Sequence, residues 1–190
     1  MKTHPLAHLA ASAVLVFASA AAAHAQAAGT EARDATMATT VGQRWQMLER
    51  QFVDLADAMP EEKWAFKPKD GAFDTVRTFG EQVKHVACAN EALALEVRHQ
   101  PPPPDCRTGG PNPAKTKTEL MAYLRQSFAA VREVIAQMTP ANALDAAGGP
   151  YGGESTRLGL ATLAVWHGSD HYGQLAVYLR LNGIVPPASR

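Results

Sequence analysis

The chain has 190 residues, enough for one substantial core. Its eighteen basic and eighteen acidic side chains balance, and no basic stripe interrupts the mixture, so nucleic acid has no electrostatic support as a partner. Beyond the N-terminal segment no stretch is long and apolar enough to span a membrane.

Residues 1–25 read as a secretory signal peptide. Lys2 gives a basic start, Leu9, Val14, Leu15, Val16 and Phe17 form an apolar centre, and Ala23-His24-Ala25 is the small-x-small pattern of a cleavage site. A retained membrane anchor is the rival, but the apolar centre is alanine-rich and weak. Cleavage implies an exported protein, periplasmic or secreted, with no stable membrane insertion afterwards. Residues 26–39 form a flexible lead, and 40–190 the folded domain. Cys88 and Cys106 are an even pair, which an oxidising compartment favours as a disulfide. Closing the proline-rich loop between them contributes roughly 3 kcal/mol in the chain-entropy model.

Four amphipathic segments follow in order. From about Thr40 to Met59, Trp45, Leu48, Phe52, Leu55 and Met59 recur at steps of three and four, and Pro60 stops the helix. Trp64, Phe66 and Phe73 in the next connection are expected to pack over a bundle end. Thr78 and Glu81 form a capping box that opens a second helix carrying Val83, Val86, Asn90, Leu93 and Val97. That helix ends near His99, before four prolines, 101–104, that favour extended polyproline geometry. Thr116 and Glu119 open a third helix with Leu120, Leu124, Phe128, Val131 and Ile135 on its apolar face, ending near Met138. A fourth starts near Ser155 or Thr156 and carries Leu160, Leu163, His167, Tyr178 and Leu181. Gly183 stands at its C′ position, with Pro186 and Pro187 beyond. The glycine-rich run at 148–153 lacks the lysine of a phosphate-binding loop and reads as a flexible connection. The whole predicts an all-α four-helix bundle.

His167 and His171 stand four residues apart, which puts both imidazoles on one helical face, close enough to grip one ion. His85, among apolar neighbours on the second helix, is the third candidate ligand. Such a pair also occurs on solvated faces, and a single buried histidine also serves as ordinary core. Cys88, one turn after His85, is either a ligand or half of the disulfide. Glu81 and Gln82 near His85, and Asp170 and Gln174 near His171, either orient the rings or are solvated surface groups, and Glu81 and Asp170 are also the candidates for a general base. His99 reads as a surface residue. No Ser-His-Asp arrangement or GxSxG elbow is present.

The fourth segment, VWHGSDHYGQLAVYLRLNGIVPPAS, resembles the DinB family closely. Thr78-Phe79-Gly80-Glu81 leading to His85 resembles that family's stretch before its first metal histidine, and the first helix with PEEKWAFKP resembles its opening. The resemblance covers about 40–186. It implies a four-helix bundle with one long crossover connection, with His85, His167 and His171 holding one divalent ion such as zinc, nickel or iron. It also implies a possible homodimer. Characterised relatives include S-transferases using bacillithiol or mycothiol and a mycothiol-dependent maleylpyruvate isomerase. The expected function is a metal-dependent enzyme acting on a small molecule, by hydrolysis or thiol transfer. The alternative is a non-catalytic exported bundle that binds a metal or ligand. Ion affinity is expected to fall below about pH 6, where free imidazole protonates.

Overall fold

In the computed structural model, residues 35–149 and 155–190 are described; the signal segment 1–25, most of the lead 26–39 and residues 150–154 lie outside the described residues. Within the unit Met37–Arg190 four helices follow in order: α1 (Met37–Ala58), α2 (Phe79–Val97), α3 (Lys117–Ala136) and α4 (Arg157–Leu181). Helix α1 starts three residues before the expected Thr40, because Met37, Ala38 and Val41 already pack against the core. Trp45, Phe52 and Phe128 form its centre, with ring centroids of Trp45 and Phe128 4.8 Å apart. The Trp45 indole donates to the Phe128 carbonyl at 3.0 Å, so this buried polar atom is satisfied.

Both capping boxes form. Thr78 N–H donates to Glu81 at 2.7 Å and Glu81 N–H to the Thr78 hydroxyl at 3.3 Å; Thr116 and Glu119 repeat the pattern on α3. Phe73 is half-buried and is not among the side chains packed on the core, whereas Trp64 and Phe66 cover the end of the bundle as expected. Their carbonyls accept from Gly80 and Phe79 N–H at 2.9 Å, and their rings meet Phe79 and Tyr178. Helix α4 ends in a Schellman motif: Ile184 N–H donates to the Leu179 carbonyl and Gly183 N–H to Arg180, with Gly183 at φ +73°. The two-residue strands β1 (Ala146–Ala147) and β2 (Ser155–Thr156) pair antiparallel just before α4. Two residues are too short to leave an alternating pattern in the sequence. Among the described residues no helix is long and apolar enough to cross a membrane.

Helix directions follow from the cross-helix pairs. Lys117 reaches Asp57 while Gly42 lies beside Ile135, so α1 and α3 are antiparallel. His85 meets His167 while the Tyr178 hydroxyl donates to the Arg77 carbonyl, so α2 and α4 are antiparallel. Tyr123 donates to Glu91 and Arg98 to Glu133, so α2 and α3 run parallel. Parallel neighbours cannot be joined by a tight turn. The connection 98–116 must therefore return along the whole of α2, and it is the long crossover. Prolines 101–104 suit it, since an extended polyproline chain covers about 3.1 Å per residue. On its way it passes Cys88, His85, Lys84 and Arg77, and this route brings it over the three histidines.

Candidate metal centre

His85 projects from α2, and His167 and His171 from the antiparallel α4. All three are nearly buried, at 9%, 7% and 7% exposure. Their Nε2 atoms form a triangle with edges of 3.2, 3.2 and 3.1 Å. Two nitrogens each about 2.05 Å from one ion stand roughly 3.3 Å apart at a tetrahedral angle and roughly 2.9 Å apart at a right angle. The observed edges fall between these limits, so the three residues can hold one ion.

Hydrogen bonds alone fit the triangle poorly. A neutral imidazole nitrogen either donates one proton or offers one lone pair. Whatever the tautomers, one edge of the triangle sets two protons or two lone pairs against each other. A cation placed among three lone pairs removes that conflict. Burial also keeps the rings neutral. Desolvation, then the neighbouring His171 and His85, push His167 down to about 3. Desolvation and His85 push His171 down to about 4, and desolvation lowers His85. The Arg77 guanidinium acts in the same direction on all three.

The outer nitrogens differ. His85 Nδ1 lies 2.7 Å from the Cys106 carbonyl, which only accepts, so Nδ1 carries the proton and Nε2 keeps its lone pair. His171 Nδ1 lies 2.9 Å from the Gln82 amide, which also donates to Gln174, and Gln174 donates to Asp170 at 2.8 Å. His167 Nδ1 is buried and has no partner among the described residues. Of the residues weighed from sequence to orient the rings, Gln82 lies against His171 Nδ1, and Gln174 and Asp170 act on His171 as well, each favouring its protonated form. Glu81 serves the helix cap. Cys88 is bonded to Cys106 and offers no thiolate. The Cys106 carbonyl left no trace in the sequence, because any residue supplies a carbonyl and only the crossover's path places this one.

A cavity of about 650 Å³ opens beside His85 and His167, and His171 does not line it. Ala89, Ala92, Leu93, Leu163, Pro102 and Pro103 give it apolar walls, and Glu96, Asp105 and Arg107 are its charged members. Its size suits a small molecule. Burial raises the Glu96 carboxyl above the usual carboxylate range.

The DinB superfamily model matches residues 44–175. A solved protein assigned to the DinB family from Exiguobacterium sibiricum 255-15 superposes with TM-score 0.60 at 19% identity, over 78% of this chain and 93% of that one. A DinB-like protein from Bacillus subtilis superposes with TM-score 0.56 at 20% identity, over 76% and 92% of the two chains. No curated protein matches. The match over most of the folded unit, which contains all three histidines, shows that the chain belongs to the DinB superfamily.

Proposed function

We propose that His85, His167 and His171 hold one divalent ion, zinc, nickel or iron, and that the chain is an exported metal-dependent enzyme acting on a small molecule. The convergence of three neutral Nε2 atoms beside a cavity of about 650 Å³ carries this reading. An ion held by His85, His167 and His171 would supply Lewis acidity suited to hydrolysis or thiol transfer. The chain's own residues divide the remaining work. The apolar walls exclude water from the substrate, and Glu96, whose carboxyl burial raises above its ordinary value, is a cavity group that can take up or give back a proton. Export is supported by residues 1–25 and by the bonded cysteine pair.

One observation favours a second reading, a non-catalytic binding module. Neither base candidate weighed from the sequence stands free at the histidines: Glu81 is spent on the helix cap, and Asp170 is exposed and bonded to Gln174. Elemental analysis of the purified protein is expected to find one divalent ion per chain, and His171→Ala to lose it. Wild type and His167→Ala are then compared on ester and thiol–electrophile substrates. Turnover that disappears with His167 supports the enzyme; a loaded protein without turnover in either class favours the binder. Intact mass of the exported protein is expected to start at Gln26.

A further inference from the structure

The crossover, the cysteine pair and His85 are mechanically one unit. Cys88 sits one turn beyond His85 on α2 and is fully buried. Cys106 lies on the crossover and is bonded to it, and the Cys106 carbonyl is the group that accepts from His85 Nδ1. The same stretch, through Pro102, Pro103, Asp105, Cys106 and Arg107, also walls the cavity.

We propose that the Cys88–Cys106 disulfide is a redox-controlled clamp on the histidine site. Closed, it holds the Cys106 carbonyl on His85 and keeps the cavity wall in place; opened, it releases both. The effect on ion binding rests on the metal reading above, whereas the effect on the His85 ring does not. Reduction is a two-electron step. A dithiol breaks the sulfur–sulfur bond, delivers one hydrogen to each cysteine sulfur and closes its own disulfide.

Among the described residues, few other polar bonds tie the segment to the body. Asp105 adopts a left-handed conformation at φ 54°, which costs energy for a residue with a side chain. Gly109 and Gly110 follow at φ 96° and 67°. Beside the His85 bond, the polar tether to the body among the described residues is the half-buried Arg77 side chain on the Arg107 carbonyl. The crossover also passes very close to the buried sulfur: a Cβ on Gly110 would lie 2.4 Å from Cys88 Sγ. Two unbonded sulfurs need more room than a bonded pair, and with Gly110 already against Cys88 the segment must move outward to provide it. His85 Nδ1 then loses its acceptor and the ring its fixed tautomer. Loss of such a partner typically weakens metal binding 10–100-fold.

The test compares oxidised and reduced forms of the same full chain, the dithiol being removed by anaerobic gel filtration. Zinc affinity is measured by competition with a chromogenic chelator. The reduced form is expected to bind about 10–100-fold more weakly, and Cys88→Ala/Cys106→Ala to stay at the reduced value under either condition. In metal-free protein, nitrogen-15 correlation spectra are expected to show His85 as the Nδ1–H tautomer when oxidised and as a mixture when reduced. Oxidised protein that takes no zinc, but whose His85 tautomer responds to reduction, rejects the ion reading and upholds the clamp. Equal affinities with an unchanged His85 tautomer overturn the clamp.

Discussion

Gln82 is 2% exposed, and its amide faces His171 Nδ1. As oriented, that amide donates, which leaves the proton of a neutral His171 on Nε2. Ligation through Nε2 requires the opposite tautomer, with Nδ1–H facing an oxygen. A half-turn of the amide supplies it, at the loss of the bond to Gln174, whose exposed side chain can take water instead. We therefore expect His171 to change from Nε2–H to Nδ1–H when zinc is added, visible in nitrogen-15 spectra. Gln82→Ala is expected to weaken zinc binding by about 10–100-fold while leaving one ion per chain at saturation. Identical affinity in that variant would make Gln82 ordinary core.

At the scale of elements, the helices carry their own start and stop chemistry. Thr78 caps α2 close to both Gln82 and His85. Thr78→Ala is expected to lower stability by about 1 kcal/mol in denaturant titration without changing the stoichiometry of the ion. A loss of the ion itself would mean that the cap also sets the register of His85. Caps, apolar stripes and the spacing of His167 and His171 were legible in the sequence because they are local: each depends on residues within a turn or two. The pairing of Cys88 with Cys106 was also anticipated, from their even number and expected compartment. The roles that were not legible depend on the path of the chain. The Cys106 carbonyl, the cavity wall from Pro102 to Arg107 and the parallel placing of α2 and α3 all follow from the crossover's course. Glu81 shows the converse: three residues from Thr78 and four from His85, it suits a cap and a base equally on spacing, and the structure assigns it to the cap.

For the whole molecule, burial of the histidines sets the response to acid. Unfolded histidine takes up a proton near 6.5, whereas folded His171 and His167 resist it until about 4 and about 3. Between these limits the unfolded state binds more protons, so stability rises with pH. The contribution is fully present above about pH 6.5 and is lost as pH falls towards the folded values. Two such groups remove roughly 3–5 kcal/mol by pH 4.5, the lower figure allowing for solvent screening. That approaches the total stability of a small domain, so the melting temperature of the metal-free protein is expected to fall steeply below pH 6. An ion that binds only the folded state adds about 4 kcal/mol at a thousandfold excess over its dissociation constant. Folded His171 and His167 resist protonation until about 4 and about 3, and burial lowers His85 as well, so protons compete for the folded site at lower pH than free imidazole would dictate. Burial thus moves the expected loss of ion affinity to lower pH than the pH 6 read from free imidazole. The difference in melting temperature between zinc-loaded and metal-free protein is therefore expected to persist below the range of free imidazole and to close towards pH 4, where His171 takes up its proton. Paired calorimetric scans across that range provide the measurement. A difference that already shrinks between pH 7 and 6 would place the three imidazoles in contact with water rather than in the dry triangle described above.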